Sequence, residues 1–479
     1  MTWVQINRAS GVPLYRQIYE HFRSKILQGE LRSGEQIPST RELAASLSVS
    51  RNIVVEAYEQ LFAEGFIEGR QGSGTFIAEG TYLEGLVDLE VLNSIRQTEF
   101  DVSALMESPP SEWIDFRPGI PALDLFPRKI WSKLAEQVYL HGPDSAVGYG
   151  RPEGRAELRA VLARYLRRTR GVICHPEQLL ITTGATQALS LIAKLFLSED
   201  TKAIIEDPIT HEIQTMFSVP GTTLLPIPVD EHGMMTSLLP YDKQPSYVYV
   251  TPSHQYPLGG ILPIQRRVQL IQYARTTGCY IVEDNYDSEF RYESPPVSSM
   301  QGLEPDKVIY IGTFSKILSP SLRMGYLILP QSLISKARKL KWLTDLHTPS
   351  FEQLILARFI DEGHLDRHVA KMKKLYRRRR DCLMKSLVSH FSPSVHLSGY
   401  STGLHFIAEF PDIAFNSGLC ETLEKNGVKV YPVELHAINK DAQRNRIVLG
   451  FGNLSEDKIE EGVQRLASAL LPLLEKEKG

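Results

Sequence analysis

Apolar residues in the first 78 positions recur at the spacing of short amphipathic helices. Pro13 opens the first predicted helix, where its missing N–H group costs no hydrogen bond. One face of this helix carries an apolar residue at every fourth position: Leu14, Ile18, Phe22 and Ile26. Gly29 and Gly34 follow and mark its end. The spacing therefore predicts a helix that buries one side.

Two shorter helices joined by a tight turn are predicted next. Ser39 and Glu42 fit a capping box at the start of the second helix, and Ser50 is placed to cap the third. The residues predicted to face inward are Leu43, Ala44, Leu47, Val54, Ala57, Tyr58 and Leu61. Arg51 and Asn52 are left facing outward at the first turn of the third helix.

A β-hairpin completes this segment. Residues 66–68 and 75–77 predict two strands, and the glycine-rich residues 69–74 connect them. Because glycine lets a backbone come close to another molecule, the hairpin tip could approach a DNA minor groove.

The pattern changes at residue 113. Short apolar runs alternate with helical patterns from there on, at residues 179–182, 203–205, 247–250, 280–282 and 308–311. Fully apolar strands that alternate with helices predict an α/β domain with a buried, mostly parallel sheet.

These different patterns of apolar and polar positions predict a multidomain chain. Residues 1–78 form a small helical domain that ends in a hairpin, and the polar, weakly patterned residues 79–112 form a linker. Residues 113–479 form the second domain, with a large part at about 113–340 and a small C-terminal α+β part at about 341–475.

Composition and charge mainly exclude a strongly basic surface, a metal or disulfide framework and a membrane segment. The net charge is −3, and residues 1–80 carry eight Lys/Arg against nine Asp/Glu, so any DNA contact must come from a local arrangement. The four cysteines lack zinc or disulfide spacing, and no metal is predicted. We expect no membrane partner and a cytoplasmic location, because the chain lacks an apolar leader and an apolar run of about eighteen residues.

The helix pair suits a DNA major groove, since Arg can pair with guanine and a helix N-terminus favours phosphate. The alternative is a small helical protein-interaction domain with an ordinary hairpin. Residues 13–78 resemble the GntR-type winged helix over their whole length. The resemblance implies DNA contact, and the predicted contact residues are Ser39, Thr40, Arg41, Ser50, Arg51, Asn52 and Gly72.

Three motifs in the second domain carry candidate chemistry. Gly184-Ala185-Thr186-Gln187 lies between a strand and a helix, where N–H groups can bind phosphate. Asp284 and Tyr286 lie at the end of another strand, where open α/β sheets bind ligands. Each of these two alone is more often an ordinary loop.

The third motif favours a ligand site over ordinary loops. Lys316 follows an apolar strand within Thr313-Phe314-Ser315-Lys316, and Arg323 comes seven residues later. A lysine whose pKa is lowered by burial can form a Schiff base. Thr313, Ser315 and Arg323 can hold a phosphate beside it.

Residues 114–475 resemble class I aminotransferases, which are fold-type I pyridoxal 5'-phosphate (PLP) enzymes. With the winged helix, the chain resembles MocR/GabR-type regulators, most closely in VTPSHQYPLGGILPIQRR, IVEDNYDSEFRY and IYIGTFSKILSPSLRMGYLILP. The resemblance implies that Lys316 holds PLP as an internal aldimine, with Asp284 at the pyridine nitrogen and Tyr286 near the ring hydroxyl.

It also implies a phosphate site and a dimer. The implied phosphate contacts are Gly184, Ala185, Thr186, Thr313, Ser315, Arg323 and, from a neighbouring subunit, Tyr149. The family fold implies a homodimer, in which each DNA-binding domain lies over the other subunit and the operator has two half-sites.

The chain departs from the aminotransferase pattern around the cofactor. Tyr256 stands where the enzymes carry an Asn before their Pro-Thr-Gly motif. Thr210 stands where related regulators often place an aromatic residue, and His211 beside it is a candidate substitute.

A further departure concerns the substrate carboxylate. The enzymes place an arginine on the C-terminal strand, and here that position is Val448. Arg446, two residues earlier on the same strand face, is a candidate for binding an effector. The alternative is an exposed arginine at the strand end.

The leading hypothesis is a PLP-dependent regulator that senses PLP or an amino compound. The alternatives are a working aminotransferase that also binds DNA and a winged-helix repressor whose second domain serves only for dimerisation. The arginine run 377–380 could touch DNA, but one solvated helix face is the favoured interpretation.

Overall fold

The structure is a computed structural model that describes residues 3–82, 113–198, 200–293, 295, 297–440 and 443–476. The chain divides into two compact units, Met1–Ser108 and Pro109–Gly479. The predicted linker 79–112 lies outside the described residues except for positions 79–82. The domain boundaries drawn from the sequence therefore stay predictions.

The first unit is a winged helix. Its elements within residues 3–82 are α1 (Leu14–Leu27), β1 (Gln36–Ile37), α2 (Thr40–Leu47), α3 (Arg51–Ala63), β2 (Ile67–Arg70) and β3 (Gly74–Ile77). The strands are antiparallel in the order β1-β3-β2. Phe22 of α1 and Tyr58 of α3 are buried with their rings 5.8 Å apart, as the apolar spacing predicts.

The structure confirms one of the two helix caps that the sequence predicts. Ser39 Oγ accepts a hydrogen bond from the Glu42 amide at 3.3 Å, and Glu42 Oε2 accepts one from the Ser39 amide at 2.9 Å. This reciprocal pair is the predicted capping box. Ser50 precedes α3, but among the described residues its side chain makes no capping hydrogen bond, so that part of the prediction is wrong.

The larger part of the second unit is built on an eight-stranded sheet. Its elements are β4 (Ile114–Asp115), α4 (Arg128–His141), α5 (Ala156–Arg170), β5 (Leu179–Thr182), α6 (Ala185–Phe196), β6 (Thr201–Asp207), α7 (His211–Phe217), β7 (Thr222–Asp230), β8 (Gly233–Met234), β9 (Tyr247–Val250), α8 (Ile264–Thr277), β10 (Tyr280–Asn285), β11 (Val308–Thr313), β12 (Gly325–Ile328) and α9 (Ile334–Asp345). The strand order is β5-β12-β11-β10-β9-β6-β7-β8. β12 runs antiparallel to both neighbours and β8 to β7, whereas the other pairs are parallel. The predicted mostly parallel sheet is confirmed.

The C-terminal residues add a smaller α+β part. Its elements are α10 (Ser350–Asp361), α11 (His364–Phe391), β13 (His396–Ser398), β14 (His405–Glu409), α12 (Ser417–Lys425), β15 (Val428–Lys429), β16 (Tyr431–Pro432), β17 (Arg446–Gly450) and α13 (Glu456–Lys476). β13, β14, β17 and β16 form an antiparallel sheet in that order, and β15 pairs with β4. None of the described helices is both long enough and apolar enough to cross a bilayer.

The arginine run 377–380 lies on α11 and is only partly solvated. Arg379 and Arg380 are 6% and 7% exposed. Arg379 donates to the carbonyl of Gly452, and Arg380 donates to Glu293 at 3.0 Å. The interpretation of the run as one solvated face is therefore wrong for these two side chains, which connect α11 to neighbouring segments.

The predicted motifs lie at one edge of the large sheet. The carboxyl ends of β10 and β11 lie side by side, with Asp284 opposite Ile311 in the register. Thr313 at the end of β11 and Thr182 at the end of β5 both pair with Gly325. Ligands of open α/β sheets bind at this edge.

Candidate functional site

A cavity of about 360 Å³ opens at the carboxyl edge of the sheet. Lys316, Asp284, Tyr286, Ala185 and Thr186 all line it, so the structure brings residues of the three sequence motifs together. The volume is in the range of small-molecule and cofactor sites.

Lys316 follows β11 and is half-buried. Burial lowers the pKa of its amine, and the carboxylates of Asp287 and Asp284 partly oppose this shift. A lowered pKa leaves more of the amine neutral, which is the form that can attack a carbonyl carbon.

Asp284 has one satisfied and one unsatisfied oxygen. The Tyr249 hydroxyl donates to Asp284 Oδ2 at 2.6 Å, whereas Oδ1 is buried and has no hydrogen-bond partner among the described residues. Burial raises the pKa of this carboxyl to about 6. A protonated pyridine nitrogen would supply the missing donor and favour the charged carboxylate, so the site fits PLP.

Tyr286 lies against a buried pair that sequence reasoning missed. The Tyr286 hydroxyl is 3.0 Å from His254 Nδ1, and both carboxylate oxygens of Asp287 are 3.0 Å from the same nitrogen. Burial raises the pKa of the Tyr286 phenol well above its usual value. His254 and Asp287 lie inside the quoted motifs, but only the fold brings them into contact.

The predicted phosphate residues converge at the start of α6. A Cβ atom on Gly184, which has a φ of +97°, would lie 2.9 Å from Arg323 Nη2. Arg323 donates to the carbonyl of Thr183 at 2.9 Å. Thr313 Oγ1 accepts a hydrogen bond from the Ser315 amide at 3.2 Å. Helix amides, hydroxyls and a guanidinium in one corner are suited to a phosphate.

Tyr149 lies away from this corner within the same chain. Its side chain is 88% exposed, and its ring centre is 6.3 Å from that of His347. It is not among the residues that line the cavity. Its contact with a neighbouring subunit's phosphate stays a prediction.

The two candidate effector residues do not line the cavity. His211 lies at the start of α7, within 3.4 Å of the Thr215 hydroxyl, whereas Thr210 does line the cavity. Arg446 pairs with Glu409, which is its direct cross-strand neighbour on β14, at 3.1 Å. The register of β14 and β17 thus supplies a partner for Arg446 that its sequence position did not reveal.

The candidate DNA-contacting residues lie at the starts of α2 and α3 and at the tip of the hairpin. Arg41, Arg51 and Asn52 are exposed near the starts of α2 and α3. Arg51 Nε donates to Thr40 Oγ1 at 3.4 Å, which connects the two helices. Gly72 is exposed at the hairpin tip with a φ of +76°. An exposed helix start beside a hairpin is the arrangement that docks into DNA grooves.

Comparisons with known proteins agree with both units. Residues 14–77 match the bacterial regulatory proteins of the gntR family, and residues 113–466 match aminotransferase class I and II. An uncharacterized HTH-type transcriptional regulator of Bacillus subtilis, YdeL, is 36% identical over 97% of this chain and 98% of that protein. The probable rhizopine catabolism regulatory protein MocR of Rhizobium meliloti is 32% identical over 98% of this chain and 96% of that protein.

A solved structure supports the fold of the second unit. Kynurenine aminotransferase of Pyrococcus horikoshii, in a complex that includes PMP, superposes with a TM-score of 0.71 at 28% identity, covering 80% of this chain and 99% of that one. The chain therefore belongs to the MocR-type HTH transcriptional regulators, with a gntR-family winged helix and a PLP domain of aminotransferase class I and II.

Proposed function

We propose that this regulator senses PLP, or an amino compound that reaches it, at Lys316, and that the result changes the affinity of the winged helix for DNA. The observation that carries the proposal is the buried, unpartnered Asp284 Oδ1 in the cavity that also presents Lys316. A domain used only for dimerisation would have no need to leave a buried acceptor without a donor.

The chain's own residues have distinct roles in this proposal. Asp284 would hold a proton at the pyridine nitrogen of the cofactor, and Lys316 would supply the amine. The residues around Gly184 and Arg323 would bind the phosphate and orient the ring. When bound, PLP supplies an electron-withdrawing ring and an aldehyde carbon that a primary amine can attack.

Sensing requires a difference in affinity between two arrangements of the protein. An effector that bound both equally would leave DNA affinity unchanged. Arg446, the candidate on β17 for binding an effector, is already paired with Glu409, so the proposal does not depend on it.

The cofactor proposal is tested by reducing the PLP-loaded full-length protein with borohydride and mapping the pyridoxyl group by mass spectrometry. We expect the adduct on Lys316, and its loss in Lys316→Ala. Lys339→Ala is the matched control, since Lys339 is exposed on α9 and does not line the cavity. An adduct that persists at the same level in Lys316→Ala contradicts the proposal.

A homodimer is the second part of the proposal. Large apolar side chains are exposed around α4 and α9: Tyr139, Leu140, Val147, Tyr149, Trp342 and Leu343. The Tyr139 ring centre is 4.4 Å from that of Phe351, which joins α4 to α10 on this surface. Large exposed apolar side chains such as these are candidates for an interface.

We infer that a second copy covers this surface, with each DNA-binding unit placed over the partner and two operator half-sites bound in the cytoplasm. Sedimentation equilibrium of the full-length protein tests the inference. The expected dimer should dissociate in Leu140→Glu and persist in Leu303→Glu, whose leucine is exposed elsewhere. A wild-type monomer would contradict it.

A further inference from the structure

The cavity contains a cation that the cofactor roles leave unused. Arg117, between β4 and α4, lines the cavity and is exposed to it. Among the described residues it has no hydrogen bond or ion pair through its side chain. Asp115, two positions away, is already bonded to the Tyr431 hydroxyl at 2.9 Å. Arg117 is therefore free to bind an anion that enters the cavity.

The chain around Arg117 passes close to the Lys316 amine. Gly119 has a φ of +72°, and a Cβ atom there would lie 2.8 Å from Lys316 Nζ. Burial is the main cause of the lowered pKa of Lys316, and the positive charge of Arg117 contributes to it. The guanidinium is thus within electrostatic reach of the amine.

The other arginine considered for an effector carboxylate is not suited to this role. Arg446 is bonded to Glu409 and does not line the cavity. Arg117 is the only arginine among the described residues that line the cavity. A carboxylate entering a partly desolvated cavity needs such a partner.

On the basis of the proposed function, we propose that Arg117 binds the carboxylate of an amino acid effector whose amine lies at the Lys316 end of the cavity. The signal is then an amino acid and not a simple amine.

The remaining walls restrict the effector further. Leu189, Ile209, Ile213 and Met216 form an apolar side of the cavity, and Glu212 contributes a carboxylate. Glu212 would repel a second carboxylate on the effector. The walls therefore favour an amino acid with one carboxylate and an uncharged side chain.

The test compares alanine with ethylamine, its analogue without a carboxylate, on the PLP-loaded full-length protein. The readout is the concentration at half-maximal change of the visible absorbance of bound PLP. Arg117→Gln should raise this concentration about tenfold for alanine, because a charge-assisted hydrogen bond is lost. The value for ethylamine should change less than about twofold. Arg446→Gln, the matched control, should change neither.

Equal weakening of alanine and ethylamine by Arg117→Gln, or no effect on either, would overturn the inference. A selective loss for alanine in Arg446→Gln would overturn it as well and place the carboxylate on β17. If neither alanine nor glycine perturbs bound PLP, the inference fails while the cofactor site stands. If the wild type fails to retain PLP, the proposed function itself fails. Normal borohydride labelling of Lys316 in Arg117→Gln shows that the variant is folded.

Discussion

Glu206 lies fully enclosed near the end of β6, close to Asp284. Its Oε2 accepts hydrogen bonds from the Thr251 hydroxyl at 2.5 Å and the Thr251 amide at 3.2 Å. Burial nevertheless raises the pKa of this carboxyl to about 7. Because Thr251 also lines the cavity, Glu206 supports the cavity wall from behind.

A pH dependence of stability follows from this burial. Between the unfolded pKa of about 4.5 and the folded pKa of about 7, the folded protein binds a proton that the unfolded chain releases. Stability should therefore fall as pH rises through this window, by up to about 1.4 kcal/mol per pH unit. Urea unfolding followed by tryptophan fluorescence should show a shallower dependence in Glu206→Gln. An unchanged slope would contradict this, and Glu231→Gln, at an exposed carboxyl, is the control.

Single residues differ in how far the sequence could locate them. Asp284 lies at the end of one apolar strand and Lys316 follows another, and both belong to local motifs, so their positions at one sheet edge were predictable. Arg117 lies far from Lys316 in the chain, and His254 lies 33 positions from Asp287, so only tertiary packing brings Arg117 to the cavity and His254 to Asp287. The partner of Arg446 depends on a strand register that apolar periodicity does not determine.

At the scale of elements, the starts of α2 and α3 are stabilised in different ways. The capping box at α2 satisfies two amides reciprocally, whereas α3 begins without a side-chain cap. The start of α3 is held by packing, since Val54, Ala57 and Tyr58 are buried within its first turns. From the sequence alone, Ser39 and Ser50 are both predicted to cap their helices.

Substitution of the two serines should separate these cases. Ser39→Ala should destabilise α2 by about 1 kcal/mol, because the Glu42 amide loses its acceptor while the amide of residue 39 keeps the Glu42 carboxylate. Ser50→Ala should have little effect. Hydrogen–deuterium exchange of the α2 and α3 amides in the full-length protein measures both, and equal effects of the two variants would contradict this interpretation.

Strand direction limited what the sequence could predict for larger elements. The alternation of apolar runs and helices correctly indicated a mostly parallel sheet. The antiparallel insertion of β12 between β5 and β11 was not predictable, because its apolar pattern is the same in either direction. This insertion matters for the site, since Gly325 of β12 separates the Gly184 turn from the end of β11.

For the whole molecule, the central claim is that the state of Lys316 in the second unit controls DNA binding by the first. Coupling between two sites of a protein is commonly worth about fivefold or more in affinity. The claim requires both a reactive cavity and a winged helix in one chain, and the family assignment places the chain among regulators that combine them.

The most direct test measures the DNA affinity of the full-length protein by fluorescence anisotropy, on DNA from upstream of its own gene. The PLP-free, PLP-loaded and alanine-treated forms are compared for the wild type, Lys316→Ala and Lys339→Ala. We expect the wild type and Lys339→Ala to differ about fivefold or more between at least two forms, and Lys316→Ala to show one affinity throughout. A wild type that carries PLP on Lys316 and binds DNA equally in all three forms would contradict the account.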